Sequence, residues 1–321
     1  MKILVTGGAG YIGSHMVSLL EKSGHQVTVM DNLSNGHRDS IGNTPFILGD
    51  IGDRSLLDQV MAADSFDAVM HFASFIQVGE SVISPSKYYN NNVSKTLVLL
   101  DAMVNAGIKK FIFSSTAAIF GEPIYTPIDE SHPKSPVNPY GKTKLLIEEV
   151  LADYRQAYGL KSVSLRYFNA AGADPNGKNG ERHHPETHLI PLILKAASGE
   201  RSSITVYGKD YETPDGTCIR DYIHVVDLCE AHLLSLMHLS SGGDSAAYNL
   251  GNGQGFSVLE VIAAAEKVTQ KEIRVENGNR REGDPPRLVA DSRLIKKELG
   301  WTPQYPEIET IIKHAWMFEK K

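Results

Sequence analysis

Lys2-Ile3-Leu4-Val5-Thr6-Gly7-Gly8-Ala9-Gly10-Tyr11-Ile12-Gly13-Ser14-His15 is the stretch on which the reading of this chain turns. Its apolar run at 3–5 suits a strand buried on both faces, as strands of parallel sheets are. Gly7, Gly10 and Gly13 then make a Gly-x-x-Gly-x-x-Gly turn, and the pattern over 11–22 is helical. A strand, a glycine turn and a helix N-terminus can hold a dinucleotide pyrophosphate, because the backbone approaches closely and unpaired helical N–H groups favour an anion. The spacing departs from the commoner Gly-x-Gly-x-x-Gly, so by itself it is a weak signal. Its context strengthens it, since Asp31 ends the next apolar run near the ~20-residue offset of a ribose-binding carboxylate. That carboxylate repels a 2′-phosphate and so favours NAD over NADP. A tight turn with a capping Asp is the plainer explanation, and it leaves the joint placement of strand, glycines, helix and acid to coincidence.

Outward from this stretch, strand-like segments at 26–30, 45–48, 68–71 and 110–114 alternate with helical patterns near 54–63, 81–105 and 140–158, and 161–166 supplies another strand. Alternation of this kind predicts an α/β fold, a Rossmann-type doubly wound parallel sheet with helices on both faces. After Asn169 the elements shorten, and Gly, Pro, Asn and His become frequent. We therefore expect an NAD-binding Rossmann domain over 1–170 and a smaller α/β substrate-binding domain over 171–321. A helical pattern at 225–238 and a buried strand at 246–250 indicate that 223–250 returns to the first domain.

The chain of 321 residues is long enough for two cores, and 41% hydrophobic with 22% charged residues is ordinary for a folded protein. A net charge of −6 opposes a nucleic-acid partner. No apolar run approaches the ~20 residues of a membrane span, and the short run after Met1 reads as a strand rather than a signal peptide. The expectation is a cytoplasmic protein with no membrane partner. Cys218 and Cys229 make neither a disulfide framework nor a Cys-x-x-Cys pair. His183, His184 and His188 invite a metal reading, with 184 and 188 at helical i,i+4 spacing. Pro185 interrupts that helix and Glu186 is the one nearby acid in view, so no metal is expected.

Thr116, Tyr140 and Lys144 point to hydride chemistry on an alcohol. Residues four apart on a helix share a face, so the Lys144 ammonium can lie near the Tyr140 phenol and favour its ionised form. A free Tyr titrates near ~10, and serving as a base at neutral pH requires roughly 4 kcal/mol of anion stabilisation. One ammonium at ~4 Å in an effective dielectric of ~20 supplies about that much. Asn138 and Pro139 mark the helix start, as a cap and a first-turn proline. Thr116 ends the Ser114-Ser115-Thr116 run, where its hydroxyl can relay a proton or bond the substrate oxygen.

With these residues assembled, the chain resembles the extended short-chain dehydrogenase/reductase superfamily and, within it, the UDP-glucose (UDP-galactose) 4-epimerases. The resemblance runs from Lys2 to about Trp301. Beyond the opening stretch it is carried by Asp31-Asn32-Leu33, Val78-Gly79-Glu80-Ser81, Tyr140-Gly141-Lys142-Thr143-Lys144, Arg166-Tyr167-Phe168-Asn169, Arg220-Asp221-Tyr222-Ile223-His224 and Arg281-Glu282-Gly283-Asp284. It implies that Thr116, Tyr140 and Lys144 are the catalytic hydroxyl, base and partner Lys. It places NAD contacts on Gly7, Gly10, Tyr11, Ile12, Gly13, Asp31, Asn32, Asn35, Asp50, Ile51, Phe72, Ala73, Asn91, Ser114, Tyr140, Lys144 and Phe168. UDP-sugar contacts would fall on Thr116, Asn169, Leu189, Arg220, Tyr222, Arg281, Asp284 and Leu288. Arginines suit a diphosphate, although two buried arginines could equally pair with Asp221 or Asp284. The resemblance also implies a homodimer through the 81–105 and 140–158 helices.

The implied reaction is redox-neutral: Tyr140 removes the proton from the sugar O4 while NAD takes the C4 hydride, and the 4-keto sugar turns over and receives the hydride on its other face. Three positions depart from the common pattern. Thr116 replaces Ser, Ile76 stands where some members carry a cofactor-contacting Lys, and Leu288 is smaller than the Tyr of members that exclude N-acetylated sugars. A 4,6-dehydratase needs a carboxylate pair after the hydroxyl residue, where this chain has Ala117 and Ala118. A 4-epimerase of another UDP-sugar, a pentose or uronate, and a non-catalytic NAD or nucleotide-sugar sensor remain the competing readings.

Overall fold

The computed structural model describes residues 1–281 and 283–320. Glu282, within the motif from Arg281 to Asp284, lies outside them. The chain begins β1 (Lys2–Thr6), α1 (Tyr11–Lys22), β2 (Gln26–Asp31), β3 (Phe46–Leu48), α2 (Arg54–Ala63), β4 (Ala68–His71), α3 (Val78–Ile83), α4 (Pro85–Tyr88), α5 (Lys95–Asn105) and β5 (Lys110–Thr116). It continues α6 (Pro139–Tyr158), β6 (Lys161–Tyr167), β7 (Asn169–Ala171), α7 (Leu189–Ser198), β8 (Ile204–Tyr207), β9 (Ile219–His224), α8 (Val225–Ser240) and β10 (Ala246–Leu250). The last elements are β11 (Gly255–Ser257), α9 (Val258–Thr269), β12 (Val275–Gly278), β13 (Arg287–Leu288), α10 (Arg293–Leu299) and α11 (Ile308–Glu319). The chain divides into two units. One comprises Met1–Gly121, Pro133–Arg166 and Cys229–Tyr248, and the other Glu122–His132, Tyr167–Leu228 and Asn249–Lys321.

In the first unit the strands form a sheet in the order β10-β6-β5-β4-β1-β2-β3. β1 pairs in parallel with β2 and β4, as do β2 with β3 and β4 with β5. Parallel neighbours require crossovers, which the helices supply. The order reverses direction between β1 and β4, and in doubly wound sheets that switch point is where ligands bind, beyond the carboxyl ends of the strands. Leu4, Val69, Phe111 and Phe113 of the sheet pack with Leu57 of α2, Leu99 and Met103 of α5 and Ile147 and Leu151 of α6. Each such side chain contributes roughly 1.5–3 kcal/mol on leaving water, and this core holds the strand ends in place.

The helix expected over 81–105 is broken. α3 ends before Pro85, α4 is a single turn, and Tyr89–Ser94 winds as a π-helix before α5 begins. Pro85 cannot donate the N–H that would continue α3. Asn92 then spends its side chain on the chain at Phe75, accepting from its N–H at 2.9 Å and donating to its carbonyl at 3.0 Å. π-turns of this type recur at functional sites.

In the second unit β9 is central: β11 pairs with it antiparallel, and β13 and β7 pair with it in parallel. β8 and β12 form a separate parallel pair. Ile190, Ile193 and Leu194 of α7 pack with Val261 and Ile262 of α9 and with Ile311, Ile312 and Trp316 of α11. Gly255 lies inside β11, and α9 starts at a Ser257/Glu260 capping box, so the glycines at 251, 253 and 255 do not repeat the first turn.

Candidate active site

The glycine turn forms a cradle at the end of β1. Gly7 has φ +72°, and a Cβ there would collide with the backbone of Phe72 and Ala73. A Cβ on Gly13 would meet the Gly7 carbonyl and the Gly8 Cα, so helix and turn approach more closely than any side chain permits. Gly10 caps α1 without a side chain, and the first turn of α1 carries no acid. A helix N-terminus of this kind favours an anion. Asp31 is buried, accepting from Ala9 N at 3.0 Å and from Leu33 N at 2.8 Å. Burial pushes its carboxyl above the usual range, against those two bonds. Each oxygen keeps lone pairs for a ribose diol. The arrangement fits a dinucleotide.

Of the other expected cofactor residues, Asp50 and Ile51 follow β3, and Phe72 and Ala73 follow β4. Asp50 accepts from Lys95 Nζ at 2.6 Å, Asn32 Nδ2 at 3.0 Å and Gly52 N at 2.8 Å. Partial burial raises its carboxyl, but Lys95 and these bonds outweigh it and hold it low. Asn35 is exposed and Ile51 buried in the core. Phe72 stacks at 5.0 Å on His232. Asn91 donates to Asn92 Oδ1 at 3.1 Å. Ile76 is 38% exposed. Phe168, in the second unit, donates its N–H to Leu250 O at 3.2 Å.

Asn138 Oδ1 accepts from Gly141 N at 2.9 Å, with Pro139 in the first turn, so the start of α6 is rigidly set. Tyr140 and Lys144 follow one turn apart, both buried. Thr116 lies beside the Tyr140 phenol, and its Oγ1 accepts from Ala118 N at 3.1 Å. Burial pushes the phenol up, and Thr116 works against it. The Lys144 ammonium is held from two sides. It donates to Ser114 O at 2.7 Å and to Ser74 Oγ at 2.9 Å, and stands 6.0 Å from the Tyr140 ring centre. Burial lowers it to about 7.

Sequence reasoning missed Ser74, which anchors the ammonium, and Asn92, whose amide reaches Thr143 Oγ1 at 3.3 Å and braces the first turn of α6. The Asn90-Asn91-Asn92 run was the one available signal for the second. It also missed Glu148, which binds Arg166 bidentately at 2.6–3.2 Å and accepts from Ser115 Oγ at 2.6 Å beneath Thr116.

In the second unit Asn169 pairs with Tyr222 across β7 and β9, and Leu288 lies opposite Arg220 across β13 and β9. Leu189 is the first residue of α7, and Tyr222 is buried. Arg220 donates to Asp284 Oδ1 at 2.8 Å and to the carbonyls of Pro285 and Ile219 at 2.9 and 2.8 Å. That uses three of its five N–H donors. Of the two acids considered as partners, Asp284 takes Arg220, while Asp221 is turned to the N–H groups of Asn252, Gly253 and Ala290. Arg281 is exposed rather than buried and lies 4.1 Å over the Tyr207 ring.

The histidine pair also differs from the spacing argument. His184 is exposed, and His183 rather than His184 stands beside His188, ring centres 5.1 Å apart, with Glu181 added to Glu186. Pro185 and the start of α7 at Leu189 prevent a helix through both positions.

Known proteins resemble this chain along most of its length. Residues 3–251 match the model of the NAD dependent epimerase/dehydratase family. The chain is 53% identical over its whole length to a UDP-glucose 4-epimerase of Halalkalibacterium halodurans, covering 96% of that protein. It is 50% identical to a UDP-glucose 4-epimerase of Lacticaseibacillus casei, over 98% of this chain and 96% of the relative. Among solved structures, UDP-glucose 4-epimerase from Brucella ovis in complex with NAD superposes with a TM-score of 0.96 at 49% identity, covering 98% of this chain and 97% of that one.

Proposed function

This chain belongs to the NAD dependent epimerase/dehydratase family, and from that premise we propose that it interconverts UDP-galactose and UDP-glucose by inversion at C4. The observation that carries the chemistry is the placing of Thr116 beside the Tyr140 phenol, one helical turn from a buried Lys144 and in the same unit as a glycine cradle shaped for a dinucleotide. NAD, when bound, takes up and returns the hydride. Tyr140 accepts the O4 proton and later gives it back, so the protein's part in the step needs no net proton or electron. Thr116 holds the phenol and the sugar oxygen in line. Lys144, its charge kept dry among Phe113, Ser74 and Ser114, biases the phenol toward its anion.

For the cofactor we propose Gly7, Gly10, Tyr11, Ile12 and Gly13 at the pyrophosphate, Asp31, Asn32 and Asn35 at the adenosine ribose, and Asp50, Ile51, Phe72, Ala73, Asn91, Ser114, Lys144 and Phe168 along the rest. Asn169, Leu189, Arg220, Tyr222, Arg281, Asp284 and Leu288 are assigned to the UDP-sugar. Arg220 supports this assignment, since it retains donors for a diphosphate after binding Asp284. Ala117 and Ala118 follow Thr116 in a 3₁₀ turn, which leaves a dehydratase without its acid pair. Leu288 favours acceptance of N-acetylated sugars alongside the hexoses. We further propose a cytoplasmic homodimer. Exposed Val82, Ile83, Tyr89 and Leu146, on α3, the π-turn and α6, support the dimer face, and sedimentation equilibrium checks it.

The deciding experiment incubates the purified protein with UDP-galactose, UDP-N-acetylgalactosamine and UDP-xylose separately, without added reductant, and follows the sugars by NMR. Conversion of UDP-galactose to UDP-glucose supports the proposal. Conversion of another sugar with UDP-galactose untouched shifts the substrate to that class, and no conversion with NAD bound leaves a sensing role.

A further inference from the structure

Residues 181–188 gather two carboxylates and two imidazoles that the proposed chemistry does not use. Glu186 Oε1 accepts the N–H groups of Thr187 and His188 at 2.7 and 2.8 Å, which folds the chain back just ahead of α7. His188 Nδ1 is thereby brought 2.9 Å from Glu186 Oε1 and 2.8 Å from Glu181 Oε1. His183 Nδ1 lies 3.0 Å from the same Glu181 Oε1 and 3.6 Å from Glu186 Oε2. All four ligand atoms fall within 4.8 Å of one another. The two carboxylates are only 7% and 5% exposed, whereas His188, at 38%, opens the group to solvent.

Two nearly dry carboxylates demand two positive charges. The pair of histidines can meet that demand by holding a proton each, with both Nδ1 atoms crowding one oxygen of Glu181. A dipositive ion meets it with neutral imidazoles and the same overall charge. Tetrahedral ligands on zinc stand ~3.4 Å apart at bond lengths of ~2.0–2.2 Å, so His–carboxylate separations of 2.8–3.6 Å, in a set of ligand atoms spanning at most 4.8 Å, ask for shifts of about 1.4 Å or less. Calcium and magnesium want six or more oxygens, whereas two imidazoles with two carboxylates suit zinc and its neighbours.

We propose that Glu181, His183, Glu186 and His188 form a binding site for one divalent transition-metal ion of the zinc class, which pins the segment leading into α7. Binding exchanges the ion for the two histidine protons: both N–H bonds break, two metal–nitrogen and two metal–oxygen bonds form, and two protons leave to solvent.

The test titrates chelator-stripped full-length protein with Co²⁺ and with Zn²⁺ at about pH 8, where the metal has to displace any proton the imidazoles hold. The expected result is one equivalent of Co²⁺ with the visible bands of a tetrahedral N/O site, displacement by Zn²⁺, and two protons released in calorimetry across buffers of different ionisation enthalpy. His188→Gln and Glu181→Gln should each weaken binding at least ~10-fold, and His184→Gln should leave it unchanged. Failure of the parent protein to take up one equivalent of either ion overturns the proposal. Equal affinity in the folded Glu181→Gln and His188→Gln proteins does so too, since it puts the ion elsewhere.

Discussion

Lys144 and Tyr140 sit one turn apart on α6, yet the ammonium bonds the Ser114 carbonyl and the Ser74 hydroxyl and remains 6.0 Å from the phenol ring centre. Strand β5 and the loop after β4 thus fix the charge, and the field it exerts on the phenol acts through space. Lys144→Met removes that field, so the phenol should ionise at higher pH. The pH–rate profile of kcat should move its acidic limb upward by about one to two units, as loss of a nearby unit charge predicts. An unmoved limb would show that Lys144 does not tune the base.

Tyr140→Phe keeps the ring that packs the start of α6 and removes the oxygen that Thr116 lies beside. We expect kcat to fall by ~10²–10⁴-fold, the usual worth of a positioned general base, with unchanged circular dichroism and NAD affinity. Retention of most activity would take Tyr140 out of that role.

Asp31 binds Ala9 N and Leu33 N while presenting its charge at the end of β2. Asp31→Asn should weaken NAD binding by roughly 10–100-fold, the loss of one to two charge-assisted hydrogen bonds, and relax discrimination against NADP. Fluorescence titration with both cofactors measures the ratio; an unchanged ratio confines Asp31 to its turn.

Arg166 and Glu148 are 4% and 7% exposed and form a bidentate pair, with Ser115 as a third partner. Glu148→Ala leaves the guanidinium buried without its counter-charge and should cost ~3–5 kcal/mol in urea unfolding. It should also loosen Thr116, next to Ser115, and so lower kcat in the fraction that remains folded.

His71 is fully buried between Thr6 Oγ1 at 2.7 Å and Thr96 Oγ1 at 3.2 Å, and burial, with Lys144 nearby, lowers it to about 3 from its ordinary 6.5. The unfolded chain takes up a proton below pH 6.5 that the folded chain refuses, so the contribution is complete above 6.5 and is lost as pH falls toward 3. Urea midpoints should decline with one proton's slope, about 1.4 kcal/mol per pH unit. His71→Leu should flatten that decline, and an identical slope in both proteins would assign the acid sensitivity to other groups.

The sequence by itself determined β1, the glycine turn, Asp31, the parallel sheet, the start of α6 and the Thr116, Tyr140 and Lys144 set, because each rests on a local rule. Apolar runs report burial, glycine reports where no Cβ fits, a capping Asn before Pro139 reports a helix start, and a four-residue offset reports a shared face. Only the tertiary structure decided where charges point. The 81–105 pattern has helical periodicity throughout, but Pro85 and the tie between Asn92 and Phe75 divide it into two helices, a short turn and a π-turn. Ser74 meets Lys144 across seventy positions of chain, Asp284 takes Arg220 across sixty-four, and His183 rather than His184 reaches His188 and Glu181. Hydrogen-bond and ion-pair partners are selected by distances of a few ångströms in space. No period in the sequence encodes them until the sheet and the loops have brought them together.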